Sequence, residues 1–382
     1  MSPLRRQWMF GSAAALLLSP ATASADGSSK DDAIRPDRAL HFPRDHGAHP
    51  GARIEWWYAT GWLQGEAGAL LGFQITFFRS RIAPWPAPGG GRPGRFEPRQ
   101  LLFAHAAVSD IPAGRHLHAQ RSSRWSGDES LPEAHARRDD TAVALGPWRL
   151  RRDAQSPGAS SRYQARLAAP EAGFTLDLAL QTTQPPLLQG QEGFSQKGPS
   201  IAQASHYYSQ PQLAVTAELS LGRQRRRLSG RGWLDHEWSD ALLAPDAVGW
   251  DWLGINLDDG GALTAFQLRR RDGTVLWAGG CHRPAGGQTR AFGPHELRLV
   301  PGRIWTSPAT GAPYPVSWTV HSPVGSFELN ALLDVQELDS RASTGAVYWE
   351  GLAELQAPRS GQRLGLGYLE MTGRAAPLRL GF

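Results

Sequence analysis

The sequence predicts an all-β chain of antiparallel sheets closed into barrels. Three observations carry this. Large apolar residues alternate with polar ones over short runs, as in Phe174-Thr175-Leu176-Asp177-Leu178-Ala179-Leu180-Gln181. Gly, Pro, Asp and Asn interrupt these runs about every ten residues, the spacing of a sandwich or a barrel. No stretch shows the 3.6-residue period of an amphipathic helix.

The first segment stands apart from this pattern. Met1–Gln7 is basic, with Arg5 and Arg6; Trp8–Leu18 is apolar; Ala23-Ser24-Ala25 is a small-x-small site. That order predicts a signal peptide, 1–25, cleaved after Ala25, and hence a periplasmic or secreted protein. Arg5-Arg6 also fits a twin-arginine signal, which leaves the export route open. The apolar run is shorter than the ~20 residues that span a bilayer, and no transmembrane segment is expected in the mature chain. Cleavage takes two arginines from the 40 basic residues and none of the 35 acids, leaving a net charge of +3. So weak a charge gives no reason to expect a nucleic-acid partner. Cys281 is the one cysteine, so stability must come from packed cores rather than a disulfide.

A mature chain of about 357 residues is long enough for two domains. Residues 26–40 are expected to be a flexible N-terminal segment. The first strand, Ile54–Leu63, places Ile54, Trp56, Tyr58 and Trp62 on one face and Glu55, Trp57 and Leu63 on the other. Leu71, Phe73, Ile75 and Phe77 continue the alternation, and His105 shares a strand face with Phe103. Long surface loops are expected at 83–99, 121–140 and 184–204, from their Pro, Gly and polar content. His206-Tyr207-Tyr208 closes the last of them; Leu213, Val215, Ala217 and Leu219 then alternate. Arg231–Asp240 puts Trp233, Asp235, Glu237 and Ser239 on one face and His236, Trp238 and Asp240 on the other. The Pro-containing link at 239–247 divides the chain into domains at 41–240 and 248–382. In the second domain Trp250 and Trp252 share a face opposite Asp251, hairpin turns fall at Asp258-Asp259-Gly260-Gly261 and Asp272-Gly273, and Glu370 lies in a late apolar strand.

Two tryptophan-and-acid segments are the places to look for chemistry: Glu55-Trp56-Trp57-Tyr58 and Asp235-His236-Glu237-Trp238. A carboxylate among tryptophans loses hydration unless it is paired, so Glu55 is either an acid of raised pKa or the ion-pair partner of a buried Arg. Alternation keeps Asp235, His236 and Glu237 from converging, so no metal site is expected from this run, and no cofactor motif is present. His236 beside Trp238 reads either as a pocket pair or as a satisfied core histidine. His105, Tyr207, Tyr208 and Glu370 read first as hydrogen-bonded structural groups. No Gly-x-Ser-x-Gly, His-Glu-x-x-His or phosphate loop occurs.

Taken in order, Glu55-Trp56-Trp57-Tyr58, His105-Ala106-Ala107, Tyr207-Tyr208-Ser209, Trp233–Trp238, Gly249-Trp250-Asp251-Trp252 and Gly367-Tyr368-Leu369-Glu370 resemble the bacterial AttH proteins. These are often labelled predicted secreted hydrolases, and they group with carotenoid 1,2-hydratase (CrtC) and fungal kievitone hydratase. The resemblance spans the chain from about His41 onward. It implies two consecutive lipocalin-like (calycin) barrels and a small apolar ligand: a lipid, a terpenoid or a polyene. It also implies a role beside ABC-transporter components, or hydration of an isolated double bond. In the hydratases a strand His-x-Trp pair is implicated, which His236-x-Trp238 matches. A Tyr and an Asp on a following strand are implicated too, and here the run Leu263–Leu268 offers no acid. Asp251, Asp235 or Glu55 would have to substitute. A hydrolase has less support, because no nucleophile can be named. Catalysis is therefore assigned to His236, Trp238, Glu55 and Asp251. Ligand contact is assigned to Trp56, Trp57, Tyr58, His105, Tyr207, Tyr208, Asp235, Glu237, Trp250, Trp252 and Glu370.

Overall fold

Alternating side chains leave each strand with two different faces: in Ile54–Gln64 both are buried, while in Arg115–Trp125 and Arg162–Ala169 the outward face stays partly exposed. The computed structural model describes residues 32–65, 68–82, 99–153 and 160–379. The signal-peptide assignment, residues 26–31 and nearly all of the first predicted loop (83–98) lie outside the described residues. Within them the regular structure is strand, apart from two single 3-10 turns at Arg44–His46 and Pro170–Ala172. The fold is lipocalin-like and all-β.

A 13-stranded antiparallel sheet comes first in the chain and a 10-stranded sheet second. In the first, the strand Ile54–Gln64 pairs with Leu70–Arg81 on one side and with the last strand, Gln224–Ser239, on the other. The sheet runs from an edge at Arg115–Trp125 to an edge at Ala134–Ala136, two strands consecutive in sequence. It therefore curls nearly shut, with its seam there rather than at the first and last strands. Trp57, Phe73, Trp148, Tyr163 and Leu176 fill its interior. In the second sheet Ala247–Leu257 pairs with Ala262–Arg270 and Arg363–Met371, around a core that includes Ile255, Trp318 and Trp349.

A third core joins the two sheets. Tyr58, Trp62 and Trp233 from the first meet Trp252, Phe266 and Tyr368 from the second. Aromatic rings bury roughly 150–250 Å² each, so this contact is a substantial apolar weld. A bulge beside it adds polar ties. Pro211 cannot donate to a ladder, the register slips between Gln210 and Leu213, and Gln212 takes φ +58. The Gln212 backbone N–H donates to Asn256 Oδ1 (2.7 Å), and its side-chain amide donates to Leu257 O (2.9 Å) and Gly261 O (2.7 Å).

Three expectations need correction. Residues 121–125 are not loop but the end of the strand Arg115–Trp125, and Ala134–Ala136 is a strand as well. Exposed arginines and serines on the outward face hid the alternation. Within 184–204, Leu187–Leu188 and Phe194–Gln196 pair with Ala204–Leu221. Residues 32–40 are anchored at intervals rather than free: buried Asp32 accepts from Gly51 N (2.8 Å), and Ile34 and Leu40 lie against Tyr208 and Trp238, while residues 35–37 stay exposed.

Candidate active site between the two barrels

Pairing of the first and last strands of the first barrel sets Trp57 opposite His236 and Glu55 opposite Trp238. Because side chains alternate, this brings two separate groups together, one on each face.

The inner face carries a closed polar network. Glu55, fully buried, accepts from His49 Nδ1 (2.8 Å), His236 Nε2 (2.9 Å), the His49 backbone N–H (3.0 Å) and Arg79 Nε (2.7 Å). Burial alone would raise its pKa, but the Arg79 charge and the two histidines outweigh it and hold Glu55 well below the usual range. His49 Nε2 reaches Asp45 Oδ1 at 3.0 Å, and its ring stacks on Trp238 at 3.6 Å and 6°. Trp57 stacks on His236 at 4.7 Å. Burial lowers the His236 pKa, and the Glu55 contact offsets this only in part. His49, Glu55 and His236 each place one ligand-capable atom within 4.8 Å of the others. A cation there would face the Arg79 guanidinium, which already holds the second Glu55 oxygen, so the trio suits N–H donors better than a metal.

The outer face opens on a cavity of about 170 Å³ between the two sheets. A cavity of roughly 150 Å³ accepts a benzene ring, so this one takes a ring or a short chain. The first barrel contributes Trp56, Tyr58, Phe78, Phe103, His105, Tyr207, Asp235 and Glu237; the second contributes Trp250, Trp252, Phe266, Leu268, Tyr348, Glu350 and Glu370. Glu55 and Arg79 border it, but the polar ends of both are engaged in the inner network.

Four carboxyl groups stand in these largely aromatic walls. Asp235 accepts from Tyr207 Oη (2.8 Å), Ser209 Oγ (2.5 Å) and Trp233 Nε1 (2.7 Å), yet burial pushes its pKa up to about 7. Glu237 pairs with Lys197 Nζ at 3.1 Å and accepts from Ser205 Oγ. The Lys197 ammonium also lies over the Phe266 and Tyr207 rings, at 4.2 and 4.7 Å. Glu370 accepts from Trp250 Nε1 (3.0 Å), and burial pushes it up to about 8, although its side chain is partly open. Glu350 lies directly opposite Glu370 in the ladder; burial first, then the Glu370 charge, raises it well above the usual range. Tyr58 Oη lies beside Glu350, but no hydrogen bond of acceptable geometry joins them, and Glu350 Oε1 has no partner. His105 bridges the barrels, with Nδ1 2.6 Å from Tyr348 Oη and Nε2 2.9 Å from Ser343 Oγ; burial lowers it to about 3, so it is neutral.

Of the residues singled out from sequence, Trp56, Tyr58, His105, Tyr207, Asp235, Glu237, Trp250, Trp252 and Glu370 share the cavity. Trp57, Tyr208, His236 and Trp238 do not; they lie in the inner network or beside it, where Tyr208 Oη meets His46 Nδ1 (2.8 Å) and His236 Nδ1 (3.3 Å). Asp251 is also apart, buried between Arg269 (2.8 Å) and Arg374 (2.8 Å). Sequence reasoning missed Glu350, Lys197, His46 and His49. Glu350 follows Tyr348 and Trp349 in an acid-and-aromatic run like the other two, the one signal that would have found it. His46 and His49 precede the first strand, where no period marks them.

A model of the AttH-like family matches residues 33–374. Among solved structures, an AttH-type protein from Nitrosomonas europaea is 44% identical, with a TM-score of 0.79 over 89% of this chain and 99% of that one. Kievitone hydratase from Nectria haematococca shares the fold at 13% identity and a TM-score of 0.66, over 89% of this chain and 94% of its own. CghA, solved with Sch210972, does so at 13% and 0.52, over 92% and 97%. No curated protein matches the sequence. The chain belongs to the AttH-like family.

Proposed function

We propose that the protein binds a small apolar molecule, a lipid, terpenoid or polyene, in the cavity between its barrels. The observation that carries this is the cavity wall: Trp56, Phe78, Phe103, Trp250, Trp252, Phe266 and Leu268 surround a few buried polar groups, the composition of an apolar-ligand site. Export would place this binding in the periplasm, and a carrier there fits an accessory role beside ABC-transporter components. The test is mass spectrometry of organic extracts of the protein purified from the periplasm. An apolar molecule should co-purify with the wild type and be lost from Trp252→Arg, which puts a charge into the wall. An empty wild-type extract, with no quenching of tryptophan fluorescence by added prenyl alcohols or polyenes, would sink the proposal.

A second reading, a hydro-lyase acting on an isolated double bond, is favoured by one feature. Asp235 and Glu370 have pKa values pushed up to about 7 and 8, so carboxylic acids persist near neutrality in an apolar site. The fold shared with a kievitone hydratase points the same way.

A further inference from the structure

Lys30 and Lys197 are the only lysines among the chain's 40 basic residues, all the others being Arg. Lys197 is buried in the cavity wall, its Nζ 3.1 Å from Glu237 Oε1 and over the faces of the Phe266 and Tyr207 rings. The segment that carries it is tied to both sheets. Phe194–Gln196 pairs with Ala204–Leu221, Lys197 N donates to Gln203 O (2.7 Å), and Trp277 Nε1 of the second sheet donates to Gln196 O (3.0 Å). The amine is therefore held in place between the barrels. Other buried acids take arginine: Glu55 pairs with Arg79 and Asp251 with Arg269. A guanidinium suits a lasting buried pair better, with its rigid fork of donors and a charge it never loses. An ammonium can give up its proton, and the amine left behind is a nucleophile toward carbonyl carbon. Lys197 is the one cation of the cavity wall with that chemistry.

Resting on the apolar-ligand reading above, we propose that Lys197 forms a Schiff base with an apolar aldehyde held in the cavity, with Glu237 as its counter-ion. The ammonium first passes a proton to Glu237, 3.1 Å away. The free amine attacks the aldehyde carbon, forming the C–N bond as the carbonyl π pair moves to oxygen. A proton follows from nitrogen to oxygen and gives a carbinolamine. The proton on Glu237 then goes to that hydroxyl, the C–O bond breaks, and water leaves as the nitrogen lone pair closes the C=N bond. Aldehyde and ammonium give a protonated imine and water, and Glu237 ends ionised beside it. The iminium takes the place of the ammonium, against the same carboxylate and the same Phe266 and Tyr207 faces, so the site needs no new counter-charge. The walls also select among carbonyl ligands. A carboxylate head would have to approach Asp235, Glu237, Glu350 and Glu370 together, whereas an aldehyde is neutral. About 170 Å³ admits a ring or a short chain beside the carbonyl, which favours compact aldehydes such as citral and cinnamaldehyde.

The test incubates the full chain with limiting citral or cinnamaldehyde, reduces it with cyanoborohydride and maps the peptides by mass spectrometry. Reduction fixes the imine as a secondary amine, so the modified residue gains the mass of the aldehyde less its oxygen atom. Lys197 should take at least about tenfold more label than Lys30 or the N-terminal amine, because binding holds the carbonyl beside it. Geraniol, which has citral's chain without the carbonyl, should compete the label away. Lys197→Arg keeps the ion pair; it should unfold at the wild-type urea midpoint and still bind geraniol by tryptophan fluorescence, yet take no label at residue 197. If that variant fails to fold, the wild-type peptide map and the geraniol competition carry the test by themselves. Label spread evenly over the amines, or aldehydes that quench tryptophan fluorescence without marking Lys197, would overturn the Schiff base and leave the binding reading intact. Failure of geraniol and both aldehydes to bind would overturn both.

Discussion

Four donors converge on the Glu55 carboxylate, two of them imidazoles and one a guanidinium. This acid has been taken out of acid chemistry: with its pKa held well below the ordinary range it stays ionised, and its work is to bind the first strand to the last and to the segment 45–49. Breaking such a buried pair by removing one charge typically costs ~3–5 kcal/mol, mostly because the other charge is left unpaired. Glu55→Gln should therefore lower the free energy of urea unfolding by about that amount. Arg79→Met in the Gln background should recover part of the loss. A Glu55→Gln protein as stable as the wild type would mean that the network does not hold the barrel. The sequence exposed Glu55's predicament, a carboxylate among tryptophans, but not its solution. Arg79 and His49 are 24 and 6 residues away, and only the strand pairing and the preceding turn bring them in.

Strand alternation was the most legible level of the fold. It split Asp235 and Glu237 from His236 and Trp238, and the structure puts those pairs on opposite walls of the same strand. It could not say which wall would face a cavity, because both are covered and both are aromatic. The His236-x-Trp238 resemblance pointed inward, to a space that Trp57, His49 and Tyr208 already fill. The bulge at Gln210-Pro211-Gln212 is the element that settles how the barrels meet, and its sequence signal, a proline inside an otherwise regular strand, is local and clear. Gln212 holds two carbonyls of the second sheet and accepts from Arg231 Nη1 (2.6 Å). Gln212→Ala should cost roughly 1–3 kcal/mol, as expected for leaving buried partners unsatisfied. Gln212→Gly should cost less than the alanine variant, since glycine tolerates φ +58 without strain. Equal stability of wild type and Gln212→Ala in urea would show that the barrels are joined by the aromatic core alone.

At the scale of the molecule, buried titratable groups pull stability in opposite directions with pH. His46, His105 and His206 are lowered by burial to about 2, 3 and 4, against 6.5 in an unfolded chain. As pH falls below about 6.5 the unfolded chain takes protons that the fold refuses, so stability drops on the acid side. The cavity carboxyls have the reverse sign. Asp235 rises from 3.8 to about 7, and Glu350 rises well above 4.5. Above about 4 the unfolded chain has lost protons that these groups keep, so their contribution is full in acid and disappears as pH climbs through their folded values. Lys197, Arg379, Glu237, Glu370, Tyr58 and Tyr207 line the cavity with them, and of these Lys197 and Arg379 are cationic. Below 6.5 the histidines outnumber the carboxyls; above it only the carboxyls still titrate. Stability should thus peak near pH 6.5 and fall toward pH 8, by at most roughly 1.4 kcal/mol per pH unit for each carboxyl. Urea unfolding of wild type, Asp235→Asn and Glu350→Gln across this range measures it. Glu350→Gln should flatten the alkaline limb, whereas Asp235→Asn should act chiefly between about pH 4 and 7 and steepen the acid limb, because Asp235 there opposes the histidines. If the alkaline limb persists when Glu350 and Glu370 are both replaced by Gln, the cavity acids are not held protonated in the fold, and their use as proton donors fails with it.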